Sequence, residues 1–484
     1  MKNTILKAAH LLLMVILLFT TSLNAQQKPN VLFIIADDLT ATAISSYENK
    51  ASFTPNINKL ASEGVMFTSA YCQFPVCGPS RASLMFGYYP HATKTFGYVS
   101  GRKNVGDRKS WSQLFMVNGY KSMRVSKIYH MGVPIDITLG SNGKDDSLSW
   151  NERYNSKGLE YLSPGEGELV QNNPDGTKPV KDGNVMTIVK SEGGDLAQPD
   201  GKTAQKAIQL IKANKDKPFF LAVGFVRPHV PFVAPKEYFE PYPWQRMAFP
   251  ISYNDDWSDM PKRAINYVTS VNAQMSPTQE KKAIAAYYAS VAFMDAQVGK
   301  VLAALKDEGL EDNTIVIFTS DHGFHLAEHR FWMKVSLKEE SVRVPLIIKV
   351  PGKKPAICNS FVELLDLYPT VAELAGLTPS KHIQGKSLVE TIDNPEVEVR
   401  DMVFTVTQGG HSFLLRNREW AFMSYNEDGS LGYELFDMLK DPHQMTNLAK
   451  RPEYSDTLNH FKELLALKLK EVRNNDINGY PDGE

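Results

Sequence analysis

The chain has 484 residues, 43% of them hydrophobic and 22% charged, with a formal net charge of −1. That balance suits a globular protein and leaves no global field to hold nucleic acid or an anionic membrane, so an anionic ligand must be met by local cations. The length exceeds what one simple core supports and predicts two or three units.

At the amino terminus, Lys2 and Lys7 bracket the start of an apolar run, residues 11–19 (LLLMVILLF), which is followed by Leu23-Asn24-Ala25. A charged start, a short apolar middle and a small-residue cleavage site read as a secretory signal over residues 1–25. The run is shorter than the roughly 20 residues that a membrane-spanning helix needs. The expected destination is the periplasm or the exterior, with no stable membrane anchor.

Beyond it, apolar runs rich in β-formers alternate with helical patterns, which predicts an α/β fold with a mostly parallel sheet between helices. Three runs stand out: residues 30–36 (NVLFIIA), 219–226 (FFLAVGFV) and 314–320 (TIVIFTS). Each ends in reactive residues, respectively Asp37-Asp38, Arg227-Pro228-His229 and Asp321-His322-Gly323. Ligands of open α/β sheets bind beyond the carboxyl ends of the strands, so the site is expected there.

Between the first two runs lies Cys77-Gly78-Pro79-Ser80-Arg81. Pro79 fits the first turn of a helix, placing Cys77 at an N-terminus where backbone N–H groups favour anions, with Arg81 adding a cation. Cys72, Cys77 and Cys358 are the three cysteines, too few for a disulfide framework. Either one disulfide and one buried thiol, or one cysteine with a chemical task, accounts for the odd number.

Residues 101–109 (GRKNVGDRK) form a basic loop that offers a binding surface or a solvated one. Residues 140–200 are polar and rich in Gly, Asp and Asn, and predict a long excursion near the site mouth. Residues 281–308 carry helical periodicity. After about residue 395 short strands (DMVFTVT, HSFLLRN, EWAFMSY) and a helix near 452–473 predict a smaller α+β unit. The expected organisation is a signal peptide over 1–25, a catalytic domain over 26–395 and a C-terminal subdomain over 396–484.

The C-x-P-S-R string at the start of a helix resembles the type I sulfatase signature, in which the Cys becomes formylglycine. NVLFIIADDL, TPNINKLASEGVMFTSAY, TSDHGFHLAEH, RVPLII and YELFDMLKDPHQMTNLA are also similar to sulfatase segments, in the expected order. SKIYH, FLAVGFVRPHVPF and WMK most resemble the iduronate-2-sulfatase branch.

The resemblance implies an alkaline-phosphatase-like fold and hydrolysis of sulfate esters. A hydrated aldehyde derived from Cys77 would attack sulfur and later expel sulfate. It implies one Ca²⁺, with Mg²⁺ the alternative, held by Asp37, Asp38, Asp321, His322 and the oxygen derived from Cys77; hard oxygen donors suit either ion. Arg81 would stabilise the hydrated aldehyde, Lys127 and Lys334 would hold sulfate, His130 would assist the diol, and His229 would protonate the departing sugar oxygen. The implied partners are a sulfated carbohydrate and a formylglycine-generating or sulfatase-maturating enzyme. A phosphatase or phosphodiesterase of the same superfamily is the rival, disfavoured by Cys77 and by the Asp-rich metal set.

One departure bears on the substrate. Iduronate-type relatives follow the paired aspartates with Leu-Arg-Pro, whereas this chain reads Leu39-Thr40-Ala41. The missing cation shifts the expectation from iduronate 2-sulfate toward an algal glycan of the ulvan or carrageenan kind, with glycosaminoglycans second. Exo action on oligosaccharides is expected. His91, His325, Glu328 and His329 are further candidates to line the sugar pocket.

Overall fold

The computed structural model describes residues 28–180, 185–252 and 255–477. The expected signal segment, residues 1–25, lies outside them. Among the described residues no helix is long and apolar enough to cross a membrane.

The eight strands of the main sheet are β1 (Asn30–Asp37), β2 (Val65–Tyr71), β3 (Lys121–Ser126), β4 (Glu152–Tyr154), β5 (Phe219–Pro228), β6 (Thr314–Ser320), β7 (Arg343–Lys349) and β8 (Ala356–Glu363). Their order is β8-β2-β7-β6-β1-β5-β3-β4. Strands β6, β1, β5, β3 and β4 run parallel as neighbours, and β7 lies antiparallel to both β6 and β2.

The unbroken apolar runs of the sequence are explained by two-sided burial. All eight residues of β1, all ten of β5 and all seven of β6 are buried. Successive side chains point to opposite faces of a strand. Leu32, Ile34 and Ala36 accordingly join one core with the helix α2 (Pro277–Asp307), while Val31, Phe33 and Ile35 join the other with α1 (Cys77–Phe86). Helix α2 begins four residues before its apolar pattern because Ser276 caps it, accepting from the Gln279 N–H at 3.4 Å while Pro277 fills the first turn.

The stretch 140–200, expected as a long excursion, carries regular structure. It supplies β4 and the strands Gly165–Leu169 and Thr187–Ser191, the second pairing with Phe232–Pro235 just after His229. Toward the C-terminus, Met402–Thr407, Ser412–Asn417, Trp420–Tyr425 and Tyr433–Asp437 form an antiparallel sheet. Phe461, Leu465 and Leu469 of the last helix, α3 (Ser455–Arg473), pack on it. This smaller sheet reaches the main unit through the buried Arg400, whose Nη2 donates to Asp366 at 2.7 Å.

Arg227, expected among the reactive residues, is structural. Its Nη2 donates to both Glu160 oxygens, at 2.6 and 2.5 Å, and its Nη1 to the His229 carbonyl at 2.6 Å. Both side chains are buried, so removing the carboxylate strands a cation, at a cost of about 3–5 kcal/mol. Glu160→Gln should lower stability by that order in chemical denaturation. An unchanged midpoint would mean that the carbonyls alone satisfy Arg227.

Candidate active site

Four adjacent parallel strands end side by side and deliver the expected residues. Asp37 closes β1 and Asp38 follows it, Lys127 follows β3, His229 comes just after β5, and Asp321 follows β6. Helix α1 presents Cys77 in its first turn, with every residue of the helix buried. Lys334 arrives from the loop after Met333.

Arg81 ties these ends together. Its Nε donates to Asp321 at 2.8 Å and its Nη2 to Asp37 at 2.9 Å, while Nη1 donates to the carbonyls of Lys127 and Ile128 at 2.7 and 3.0 Å. Ser80 adds a bond from its hydroxyl to the Asp321 carbonyl at 2.5 Å. Gly224 lies in β5 because a Cβ there would collide with the Lys127 carbonyl.

The remaining charges pair around Cys77. Lys127 Nζ donates to Asp37 at 2.5 Å, and Lys334 Nζ to both oxygens of Asp38 at 2.6 and 2.9 Å and to the Cys77 Sγ at 3.4 Å. His322 Nε2 is 3.3 Å from Cys77 Sγ and 3.3 Å from Asp38. His229 Nδ1–H donates to the Val230 carbonyl at 2.5 Å, which fixes the tautomer and turns Nε2 toward Asp38 at 3.7 Å. His130 stacks on Tyr98 at 4.4 Å between ring centroids, and among the described residues its buried Nδ1 has no hydrogen-bond partner.

Asp38 and the residues that flank Lys127 and Lys334 sit on strained backbone. Asp38, Ser126, Met333 and Val335 all have positive φ, at 62, 62, 67 and 82°. Such conformations cost about 1–3 kcal/mol each and persist where surrounding contacts enforce them, typically at functional sites.

Burial works on every ionisation here. It pushes Asp37 up, but Lys127, His229, Arg81 and Lys334 outweigh it and hold the carboxyl well below the usual range. At Asp38 burial wins over Lys334 and His322, and the carboxyl rises to about 7. Burial opposes the lowering of the Cys77 thiol, which Lys334 and Lys127 bring about. Burial likewise opposes charge on His322, yet Asp321, Cys77 and Asp38 carry it to about 9. His130 falls to about 3 and His229 well below its ordinary value, through burial and the neighbouring lysines.

The donor set fits a hard divalent cation. Ligand atoms of Asp37, Asp38, Cys77 and His229 converge within 4.8 Å of one another, and those of Cys77, Asp321 and His322 do the same. All five expected ligands thus fall into two groups that share Cys77, and His229 joins the first. Burial holds the Asp38 carboxyl up near 7 against Lys334 and His322, so a further cation beside it would favour the carboxylate. A sulfur donor suits such an ion poorly, whereas an oxygen at position 77 would suit it.

Other candidates play structural parts. His325 and His329 are fully buried, bonded to Ser336 at 2.6 Å and to Asp256 at 2.9 Å, and His91 bonds the Gly410 carbonyl at 3.0 Å. In the basic loop, Arg102 binds Asp146 and Arg108 binds Asp476, so neither is spare for a ligand. All three cysteines are free and buried, and no disulfide forms.

Comparison with known proteins agrees with this geometry. Residues 29–377 match the family described as Sulfatase, and residues 327–473 match the C-terminal region of N-sulphoglucosamine sulphohydrolase. A sulfatase of Formosa agariphila is 31% identical over 90% of this chain and 86% of its own. Human iduronate 2-sulfatase is 33% identical over 75% of this chain and 73% of its own. In fold, the chain resembles the phosphonate monoester hydrolase of Agrobacterium radiobacter, with a TM-score of 0.75 and 22% identity, over 93% of this chain and 97% of that one. With the family matched across its main sheet and the charged cluster gathered at its strand ends, this chain belongs to the sulfatase family and is a sulfuric ester hydrolase.

Proposed function

We propose that the protein removes sulfate from the ends of sulfated polysaccharide fragments, through a formylglycine made from Cys77 by a maturating enzyme. The observation that carries this reading is the convergence of Lys334, His322 and Asp38 on the Cys77 sulfur at the start of a buried helix. An aldehyde at that position, once hydrated, supplies an oxygen nucleophile and a second hydroxyl through which sulfate is released. A divalent cation, Ca²⁺ ahead of Mg²⁺, would be held by Asp37, Asp38, Asp321 and His322 and would neutralise charge beside that oxygen.

The other residues bind, orient and move protons. Lys127 and Lys334 lie on opposite aspartates and present two ammonium groups to the sulfate oxygens. Arg81, held on four acceptors, fixes the strand ends and keeps its charge near position 77. His130 borders the same space and assists the hydrated aldehyde. His229, with Nδ1 committed to Val230, directs Nε2 toward Asp38 at 3.7 Å and would carry the proton for the leaving oxygen on that nitrogen. The lysines that depress its basicity are the groups a sulfate monoanion would offset, so substrate binding favours the charged imidazolium.

Thr40 supports a substrate other than iduronate 2-sulfate. It is 1% exposed, and its hydroxyl bonds that of Thr42 at 3.1 Å, so a neutral buried residue stands where the iduronate-type pattern has arginine. A sulfated algal glycan such as ulvan therefore stands ahead of glycosaminoglycans, and the deep burial of Cys77, His229 and Lys334 supports exo action. Export to the periplasm or the exterior fits a polymeric substrate.

Four outcomes are expected. Co-expressed with a formylglycine-generating enzyme, the Cys77 peptide should carry an aldehyde by mass spectrometry, and Cys77→Ser should lose nearly all turnover; an active enzyme with a wholly unmodified Cys77 would sink the mechanism. On defined oligosaccharides, sulfate release should favour algal chain ends, and a clear preference for heparan or dermatan disaccharides would reverse the choice of substrate. Ca²⁺ binding to the unmodified protein must displace protons from Asp38, near 7, and from His322, near 9. Calorimetry should therefore find affinity rising from pH 6 to pH 9 with proton release, and pH-independent binding would exclude these ligands. For His229→Ala, losses should be about tenfold or more greater on sugar sulfates than on aryl sulfates, whose leaving groups need little protonation; equal losses would assign His229 to another role.

A further inference from the structure

Two half-exposed tyrosines flank the charged cluster. Tyr98 is 51% exposed and Tyr267 50% exposed, although both phenols lie close enough to Lys334, Cys77 and Asp38 to sense their charges. They also sense one another. One side of the Tyr98 ring stacks on His130 at 4.4 Å, which leaves the other side for a ligand. Tyr267 turns its hydroxyl inward, 3.7 Å from the Sδ of Met333, beside Lys334, and leaves its exposed surface outward.

The position of Tyr98 is built into the fold. A Cβ on Gly78 would stand 2.5 Å from the Gly97 carbonyl oxygen and 2.9 Å from the Tyr98 Cα. The residue next to Cys77 therefore has to be glycine for the 97–98 backbone to lie against the start of α1. Tyr267 is anchored similarly, since its neighbour Asn266 donates from Nδ2 to the Trp332 carbonyl at 2.9 Å. Both rings are thus tied to segments that carry catalytic groups.

Taking the sugar-sulfatase reading above as its basis, we infer that Tyr98 and Tyr267 form the subsite for the sugar ring that bears the sulfate. Large, rigid rings with a polar tip pack against the C–H face of a pyranose and offer hydroxyls to its own hydroxyls. Burial pushes the Tyr267 phenol up to about 12 and raises that of Tyr98, so both remain neutral donors at working pH. The subsite recognises ring shape and hydroxyl pattern, while the lysines recognise sulfate.

The test uses the matured enzyme and a sugar sulfate that the wild type hydrolyses, with inorganic sulfate as a competitive inhibitor. Tyr98→Ala and Tyr267→Ala should each raise KM for the sugar sulfate about tenfold, while the inhibition constant of sulfate moves less than twofold. Tyr98→Phe, which keeps the ring face, should restore most of the affinity. A merely structural role in holding His130 or Lys334 would lower kcat and weaken sulfate inhibition together, and that result overturns the subsite. So does an active wild type whose alanine variants keep its KM. A wild type inert on every sugar sulfate overturns the functional reading, and the subsite with it.

Discussion

The site depends first on the buried guanidinium of Arg81. Four parallel strand ends would carry three carboxylates into a buried space, an arrangement that repels itself. Arg81 bridges two of those carboxylates and satisfies two carbonyls that follow β3, so a single side chain of α1 locks β1, β3 and β6 in register with the helix. A buried cation with this many charge-assisted bonds is expensive to remove and hard to replace by lysine, which lacks the planar fork. The position of Cys77 follows from it, one helical turn away on the same helix.

Charge balance explains why the remaining cations are lysines. Asp37, Asp38 and Asp321 face Arg81, Lys127 and Lys334, three carboxylates against three cations, with His322 a further cationic group beside Asp38. Arg81 is committed on every side, whereas each lysine holds one aspartate through a flexible stem. A divalent ion held by the aspartates would offset their charge and leave both ammonium groups available to an anionic ligand. Strain points the same way: the positive φ values at Ser126, Met333 and Val335 lie immediately beside the two lysines. The backbone there is held for the sake of where those side chains point.

Much of this was legible in the sequence, for physical reasons. The buried strands announce themselves because two-sided burial demands unbroken apolar runs, and the acids at their ends follow from sheet topology. The role of a single Lys127 or Lys334 is not legible from local chemistry, since an isolated lysine looks like solvated surface; only resemblance to a family located them. Arg227 was misplaced because its counter-charge, Glu160, lies 67 residues away in a polar stretch with no strand pattern. His325 and His329 were misplaced because adjacency in sequence to Asp321 says nothing about which side of the loop a ring occupies. Tyr98 and Tyr267 left no signal, because an aromatic residue in a loop reads the same whether it covers a core or faces a ligand.

The tight seat of Tyr98 against Gly78 has a consequence for how such enzymes can diverge. The residue after Cys77 cannot gain a side chain unless the 97–98 backbone moves away, and that backbone carries Tyr98, one wall of the proposed sugar subsite. Change at the two places is therefore coupled. Transplanting the 95–100 loop from a relative with a bulkier residue at this point would bring in a backbone path incompatible with glycine's close contact, and exchanging position 78 alone would displace the existing wall. Retargeting the enzyme to another sugar requires both exchanges at once, with effects that do not add.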